Sequence, residues 1–379
     1  MFEELDCPVR HYAWGETAEK STRKPFIPAM LGIPAGTERW AELWMGSHPS
    51  GSAVIKATGV PLKDAILKEP ERYLGKALAA DGVRSLPFLL KVLCCSEPLS
   101  IQSHPDKKLA ERLNHGLPKE FPDDNHKPEV LYALSDFTVM AGFRDVHDIL
   151  DDIQRHNALH RWHEALPKFV TLRDLCEFVL KADYQQIANI ADDLAEEPMN
   201  TPNEKLFLML NEKYHGDCGT LFAFLLNVFT LKPGQAIFVG PNIPHAYLKG
   251  QGVECMANSD TVIRAGLTSK YVNRQILLET LNFTSMSPER LLIKQAGGNF
   301  DYSCGKDFRL RILSVANGRF VPDRESPAIF VVLKGTAKIS ADGGSAIARR
   351  GSIWFSRPGV KDASIEPLDG NSIVAWAEV

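Results

Sequence analysis

The sequence predicts a mainly β protein that carries one inserted helical domain, and three features of the chain indicate this fold class. Residues 1–140 contain short apolar runs broken by Gly, Pro and Ser, which is typical of strands separated by turns. From about residue 146 to 214, apolar residues recur at helical spacing. Strand-like sequence returns at 222–248 and dominates from residue 309 to the end. This order favours an antiparallel β-barrel or sandwich interrupted by helices.

Two helical stretches interrupt the first strand-rich region, from about Leu62 to Leu78 and from about Lys107 to Leu113. The long helical region has apolar sets with acidic residues and Lys between them, as amphipathic helices do. The segments predicted as strands after it are 222–231, 235–239 and 246–248.

A short repeat connects the later strands with the C-terminal region. Gly234 is followed by Phe238, Pro241, Asn242 and His245 at the intervals that separate Gly351 from Phe355, Pro358, Gly359 and Asp362. Each block predicts a strand, a turn and a residue directed back into a barrel, which is the spacing of the second signature motif of the cupin (jelly-roll) fold. Chance recurrence of Gly and Pro turns is the alternative. We therefore predict a cupin domain from residues 1–145 and 220–285, a helical insertion at 146–219, and a second, degenerate jelly roll at 286–379.

Composition and charge narrow the range of partners. Lys and Arg number 43 and Asp and Glu number 47, giving a net charge of −4, and this weak acidity argues against a nucleic-acid partner. The seven cysteines are irregularly spaced without a C-x-x-C pair, which indicates reduced thiols rather than disulfides or a cysteine zinc site.

Targeting signals are the next consideration. The chain begins with acidic residues where a secretory signal is basic, and the most apolar run, 221–231, is too short to span a bilayer. We expect a cytoplasmic protein with no membrane partner. We also expect a monomer, because no heptad pattern appears.

Three clusters offer metal-binding side chains. Gln102 and His104 share one face of a predicted strand, because alternate strand residues point the same way. Glu129 shares a face with Lys127 in a segment that Pro128 extends, whereas His126 points away. His245 and Tyr247 share a face of a later strand.

Each cluster alone also fits a bland explanation: a polar strand face, a hydrophilic loop or a core histidine. Together, Gln102, His104, Glu129 and His245 offer two imidazoles, a carboxylate and an amide oxygen. That set favours an open, catalytic zinc site. The amide is an unusual zinc ligand, so manganese and iron remain alternatives.

The segment 254–270 carries Asp260 and Arg264. An arginine presents a planar fork of donors that suits phosphate oxygens or an enediolate. A solvated loop with an ordinary salt bridge is the alternative. Apart from His104, His126 and His245, the histidines indicate only a solvated surface.

These motifs resemble those of the type I mannose-6-phosphate isomerase family, zinc enzymes of the cupin superfamily. The resemblance covers most of the first 145 residues and 220–285, in family order, through residues 12–15, 41–49, 86–93, 99–105, 125–129, 244–250 and 259–270. Two positions depart from the family pattern: Thr261 stands where Asn is usual, and Asn273 where Asp is usual. Neither replaces a predicted metal ligand.

The resemblance implies interconversion of mannose 6-phosphate and fructose 6-phosphate, which feeds mannose activation for glycosylation. It implies one zinc per chain, held by Gln102, His104, Glu129 and His245. The residues that it places around the substrate are Trp14, Glu42, Lys91, Lys127, Tyr247, Asp260 and Arg264.

The implied reaction needs an electrophile for the oxyanion, a base that moves a proton between C1 and C2, and a phosphate anchor. The metal and Arg264 meet the first need. For the second, we expect the neighbourhood of Lys127 and Asp260, with water on the metal as a further option. Lys91, Ser100 or nearby cations are candidates for the anchor. Two alternatives stay open: another metal-dependent cupin, such as a dioxygenase or a different sugar isomerase, and a sugar-phosphate-binding paralogue with little catalysis.

Overall fold

The computed structural model describes residues 2–18, 24–295, 300–314, 316 and 318–379. Its strands are β1 Glu3–Asp6, β2 Val9–Arg10, β3 Glu42–Met45, β4 Val54–Ile55, β5 Val60–Pro61, β6 Phe88–Cys95, β7 Ile101–Ser103, β8 Glu129–Ala133, β9 Phe137–Phe143, β10 Leu226–Leu231, β11 Ala236–Val239, β12 His245–Ala257, β13 Ile263–Gly266, β14 Phe300–Cys304, β15 Phe308–Ser314, β16 Ala328–Lys334, β17 Thr336–Ala341, β18 Gly344–Arg349, β19 Ile353–Ser356, β20 Ser364–Pro367 and β21 Ile373–Glu378.

The α-helices are α1 Phe26–Leu31, α2 Leu62–Lys68, α3 Pro70–Leu74, α4 Lys76–Ala80, α5 Lys107–Gly116, α6 Val146–Arg155, α7 His160–Glu164, α8 Leu172–Lys181, α9 Tyr184–Ala195, α10 Pro202–Tyr214, α11 Phe222–Leu225, α12 Arg274–Thr280 and α13 Pro288–Leu291. Two short 3₁₀ turns occur at Asn157–Leu159 and Cys218–Thr220. No helix in these parts of the chain is long and apolar enough to cross a membrane.

The strands form three sheets, and the prediction of a mainly β protein is confirmed. An eight-stranded sheet has the order β14-β15-β21-β16-β19-β1-β4-β5, a ten-stranded sheet is built around β12, and β18-β17-β20 form a third. Strand pairing among the described residues does not close the ten-stranded sheet into a ring.

Strand β12 organises the ten-stranded sheet because it changes partners halfway along. Its first residues pair with β9 and β7, whereas residues 250–257 pair with β6. The change occurs at Gly250, which has φ of 146°. A Cβ there would lie 2.6 Å from the ring of Phe137, so only glycine fits this position. Residues from the first half of β12, which pairs with β9 and β7, and from its second half, which pairs with β6, thereby reach one site.

The helices between β9 and β10, called the helical insertion below, begin at Val146. Its longer helices have side-chain N-caps, from Asp145, Thr171, Asp183 and Thr201, which satisfy amide groups that a helix start leaves open. The apolar faces of these helices share one core with Met140, Phe143 and Ala246 of the ten-stranded sheet. The insertion is therefore packed directly against the strands.

Two sequence-based element predictions need correction. The segment 222–231 was predicted as one strand, but its first four residues form α11 and only 226–231 form β10. All four are buried, and an apolar run buried on every side does not distinguish helix from strand by periodicity. The stretch 62–78 divides into three helices, with breaks before Pro70 and at Gly75, because proline and a left-handed glycine end helices.

The apolar run Ile329–Leu333 lies in β16, an interior strand of the eight-stranded sheet. Ile329 and Val331 face a core that also contains Leu43 and Leu90 of the ten-stranded sheet. Phe330 faces a second core, which is formed by residues of the C-terminal region together with Phe2. The N-terminal strand β1 is itself part of the eight-stranded sheet, so the first and last parts of the chain are packed together.

Candidate metal centre and active-site cavity

Three buried side chains converge at the ends of β7, β8 and β12. The ligand atoms of His104, Glu129 and His245 all lie within 4.8 Å of one another. His104 Nε2 is 3.2 Å from Glu129 Oε1, and His245 Nε2 is 3.5 Å from Glu129 Oε2. Each of the three residues lies at or beside the first or last residue of its strand. The groups meet where these strand ends lie side by side, on the face that the alternation of strand residues gives them.

Both imidazoles are oriented by the backbone. His104 Nδ1 lies 3.3 Å from the carbonyl oxygen of Thr261, and His245 Nδ1 lies 3.0 Å from that of Ile243. A carbonyl accepts only, so in the neutral tautomer the proton is on Nδ1 and the Nε2 lone pair faces the cluster. Such carbonyl partners are typical of metal-binding histidines.

The fit of a cation to this cluster can be tested on these contacts. His104 Nε2 is buried without a hydrogen-bond partner, and it faces a carboxylate oxygen that is also an acceptor. Two acceptors at this distance repel each other unless a cation lies between them. Burial, with Lys127 nearby, lowers the pKa of His104 to about 4, so the ring is neutral near pH 7. A metal ion with N and O ligands fits these residues.

Lys127 and Tyr247 hold the carboxylate of Glu129. Lys127 Nζ is 3.0 Å from Oε1, on the strand face that the alternation predicts, and Tyr247 Oη donates to Oε2 at 3.2 Å. Burial alone would raise the pKa of Glu129, but the pKa lies well below its usual range, and the adjacent Lys127 is the largest cause that lowers it. The carboxylate is therefore ionised, as a metal ligand must be. His126 points away and contacts Asp307 at 2.8 Å.

Gln102, the fourth predicted ligand, lies directly opposite His245 in the pairing of β7 with β12. Its Nε2 is 3.5 Å from His245 Nε2. A metal binds the amide oxygen rather than the nitrogen, so Gln102 would serve as a ligand after its amide turns over. On the other side of β7, Arg264 of β13 pairs with Gln102.

A cavity of about 980 Å³ opens beside the cluster. Ten of the twelve predicted site residues line it: Trp14, Glu42, Lys91, Ser100, Gln102, Lys127, Glu129, Tyr247, Asp260 and Arg264. His104 and His245 are fully buried behind this lining. The structure thus brings the whole predicted set to one place.

Asp260 and Arg264, the two charged site residues predicted in segment 254–270, differ in their partners. Asp260 Oδ1 is 3.4 Å from His48 Nε2, and this contact, with Lys127 and Lys91 further off, lowers the pKa of Asp260. Arg264 lines the cavity. Its guanidinium has no ion-pair or hydrogen-bond partner within the described ranges, and burial lowers its pKa. A half-buried cation without a partner favours an anionic ligand.

Glu254 is a cavity residue that the sequence analysis did not assign. It is buried and forms an ion pair with Lys91 at 2.8 Å. Burial lowers the pKa of Lys91, but Glu254, Glu42 and Glu129 outweigh it and raise the pKa above its usual range. In a regular strand, Tyr247 and Glu254 would face opposite sides because they are seven residues apart. The pairing shifts register between Tyr247 and Lys249, which turns both toward the cavity.

The histidines assigned to the surface include two buried ones, which corrects that expectation. His48 and His156 are each 2% exposed. His156 lies between Glu197 and Glu204, at 2.9 and 3.0 Å, and connects α6 with α10. His48 lies at the cavity. A single sequence carries no periodic signal for an isolated buried histidine, because its partners come from distant segments.

The helical insertion also contributes to the cavity, through Tyr184, Lys213, Tyr214 and His215 among others. Tyr184 begins α9, Lys213 and Tyr214 end α10, and His215 directly follows α10. No feature of the sequence had connected this region with the metal ligands. The cavity therefore lies between the strands and the insertion.

Both departures from the family pattern have structural roles. The buried Thr261 donates its hydroxyl to the carbonyl of Asp123 at 2.9 Å, and its own carbonyl faces His104. Asn273 caps α12 by accepting from the amide of Ile276 at 3.0 Å. Asn and Asp cap helices almost equally well, so the second departure preserves the cap.

Comparison with known proteins gives consistent results. A family model described as phosphomannose isomerase type I, catalytic domain, matches residues 1–146. Mannose-6-phosphate isomerase of Macaca fascicularis is 36% identical over 317 residues, 76% of this chain and 75% of that protein. The probable mannose-6-phosphate isomerase of Caenorhabditis elegans is 32% identical, covering 94% of this chain and 90% of its own.

Solved structures agree across the whole chain. A mutant of phosphomannose isomerase from Salmonella typhimurium superposes with a TM-score of 0.87 at 30% identity, covering 99% of this chain and 98% of that one. A mannose 6-phosphate isomerase bound with zinc and yttrium gives a TM-score of 0.85 at the same identity and coverage. Sequence, fold and cavity residues therefore lead to one conclusion: this chain belongs to the type I mannose-6-phosphate isomerase family.

Proposed function

We propose that this chain is a zinc-dependent isomerase that interconverts mannose 6-phosphate and fructose 6-phosphate, in the cytoplasm, and so supplies mannose activation for glycosylation. The observation that carries the proposal is the buried His104–Glu129–His245 cluster, whose imidazole lone pairs face a carboxylate. An isomerase of this kind needs an electrophile next to groups that can move a proton, and the cavity provides both.

One zinc ion per chain would be held by His104, Glu129, His245 and the amide oxygen of Gln102. When bound, zinc supplies a Lewis acid that polarises a substrate oxygen. The carbonyl groups of Thr261 and Ile243 keep the two imidazoles in the required tautomer. Tyr247 and Lys127 hold the carboxylate of Glu129 in place.

Proton transfer between C1 and C2 is the work of Lys127 and Asp260 in this proposal. Lys127 is 93% buried and lies against the cluster, while Asp260 is ionised and borders the same cavity. Arg264, which has no protein partner in the described parts of the chain, would stabilise the negative charge of the enediolate. The assignment of one base among these groups stays open.

The remaining predicted residues would bind the rest of the sugar phosphate. Lys91 is fixed by its ion pair with Glu254, and Glu42 accepts a hydrogen bond from Trp44, so both present oriented polar groups. Trp14 offers an apolar face, and Ser100 offers a hydroxyl at the cavity wall. Lys91 and Ser100 are our candidates for contact with the phosphate.

We further propose that 1–145 with 220–285 form a cupin (jelly-roll) domain, with 146–219 as its helical insertion. Residues 286–379 would be a second, degenerate jelly roll. The support is the repeated strand and turn at β11 and β19. The alternative of a weakly active paralogue loses its main argument, since Thr261 and Asn273 both make ordered structural contacts.

A coupled assay on mannose 6-phosphate with zinc-loaded protein tests the function. We expect turnover in the wild type and a large loss in Lys127→Ala at unchanged metal content. Absence of turnover in fully zinc-loaded wild type would contradict the proposal. Turnover that appears only with a ferrous salt and oxygen would instead support an oxygenase.

A further inference from the structure

His48 is buried at the wall of the cavity in an environment that fixes its ring. The imidazole packs edge-on against Trp44, with ring centroids 4.8 Å apart at 72°. The backbone amide of Ser50 donates to Nδ1 at 3.1 Å. Because Nδ1 accepts this hydrogen bond, the proton of the neutral ring is on Nε2.

Nε2 points at the carboxylate of Asp260, whose Oδ1 lies 3.4 Å away. The main chain of Asp260 is held from the other side, since its amide donates to Asp123 Oδ2 at 2.6 Å. The side chain of Asp260 remains 46% exposed. One carboxylate oxygen thus faces a buried donor, and the rest of the group borders the open cavity.

We propose that His48 is a positioning residue that orients the Asp260 carboxylate toward the substrate. The inference rests on the proposed function, in which Asp260 takes part in proton transfer. His48 lies at the cavity but would act through Asp260, because the only polar contacts of its imidazole ring in the described structure are the Ser50 amide and the Asp260 carboxylate. Its ring cannot turn without losing both contacts.

The pair also has a consequence for pH dependence. Contact with His48 is the largest cause that lowers the pKa of Asp260, ahead of the more distant Lys127 and Lys91. Tyr12 also interacts electrostatically with this carboxyl group, whereas Asp123 lies at the backbone amide of Asp260. Loss of the His48 contact therefore raises the pKa of Asp260. The acid limb of activity, where this carboxylate becomes protonated, then moves to higher pH.

Two substitutions separate positioning from packing. His48→Leu fills the site without a donor, and His48→Gln carries an amide that reaches the place of Nε2. In zinc-loaded enzyme we expect His48→Leu to lower kcat about 10–100-fold, as is common for groups that orient a functional residue, and to move the acid limb upward. His48→Gln should recover most of both. The substrate phosphate titrates near pH 6, identically in every variant, so differences between variants report the protein.

Additivity gives the decisive control. In an Asp260→Asn background, His48→Leu should cost almost nothing further, because the partner is already changed. His115→Leu, at an exposed site on α5, should match the wild type. An unchanged acid limb in His48→Leu, or full additivity with Asp260→Asn, would overturn the proposal.

A readout that needs no turnover distinguishes this inference from the function on which it rests. The carboxyl carbon of Asp260, assigned in ¹³C-aspartate-labelled protein by its loss in Asp260→Asn, should titrate at higher pH in His48→Leu than in wild type. That shift in a protein inactive on mannose 6-phosphate would leave the pairing intact and reject the function. An active protein with no shift would reject the pairing alone.

Discussion

The two copies of the strand–turn unit share a backbone but not a chemistry. Gly234 and Gly351 both have positive φ, 91° and 85°, and each precedes a four-residue strand, β11 or β19. Asn242 and Gly359 then both turn with positive φ, 64° and 80°. The repeat that the sequence predicted is thus a repeat of conformation, and it favours common architecture over chance.

The two copies differ at their last position, which is His245 in one and Asp362 in the other. His245 is buried and begins β12, whereas Asp362 is exposed, has φ of 52° and lies outside any strand. His245 also has Gln102 and Glu129 on neighbouring strands. The corresponding C-terminal core is apolar, with Phe330 and Trp376 stacked 5.3 Å apart. A metal site therefore requires the turn and suitable neighbours together.

Substituting the residue at the equivalent position of each copy should give the largest difference in zinc content and activity. His245→Asn removes an imidazole ligand, so we expect loss of zinc and of activity, while Asp362→Asn should keep one zinc per chain and full turnover. Metal analysis and the coupled assay measure both. Chelation of the wild type should likewise abolish activity, and zinc should restore it. A second zinc that disappears in Asp362→Asn would show that the C-terminal copy binds metal.

Charge removal beside the cluster should lower the rate without releasing the metal. Arg264→Ala and Lys127→Ala are each expected to reduce kcat about 10²–10³-fold, the usual cost of losing one group that stabilises transition-state charge. Lys338→Ala, at an exposed position of β17, is the matched control in the other copy. If Arg264→Ala lost its zinc and regained full turnover when metal was added back, the residue would belong to metal binding.

Truncating one core residue in each region tests whether the C-terminal core and the core shared with the ten-stranded sheet unfold together. Ile329 faces the core shared with the ten-stranded sheet, and Ile339 faces the C-terminal core. Each change to Ala should cost about 2–5 kcal/mol of unfolding free energy. We expect Ile329→Ala to lower the denaturant midpoint for zinc release as well, whereas Ile339→Ala should affect it less. Equal effects on zinc release would mean that the regions unfold as one unit.

A smaller effect tests whether the C-terminal region touches the site. Asp307, in the C-terminal region, contacts His126, which is next to Lys127 in the chain. The pair is partly exposed and worth up to about 1 kcal/mol. Asp307→Asn should therefore lower kcat by no more than about fivefold at constant zinc content. Glu366→Gln, on exposed β20 surface, should be silent; an equal loss there would point to a general effect of charge.

Strand spacing accounts for six of the twelve predicted site residues, whereas Trp14, Glu42 and Lys91 were implied by the family resemblance. Gln102 and His104, Lys127 and Glu129, and His245 and Tyr247 follow the two-residue alternation. Glu254 was not predicted as a site residue, because a register shift in β12 breaks that alternation. His48 and the insertion residues Tyr184 and Lys213 were not predicted for another reason: their position at the cavity depends on contacts between distant segments.

The sequence by itself determined the mainly β class, the candidate ligand types, the family resemblance and the repeated turn spacing, since each depends on residues close together in the chain. Only the tertiary structure decided which polar groups meet. It placed β1 in the C-terminal sheet, Asp307 against His126, and Glu254 against Lys91. Long-range packing makes these choices, because a strand can pair with any edge that its register and buried face allow.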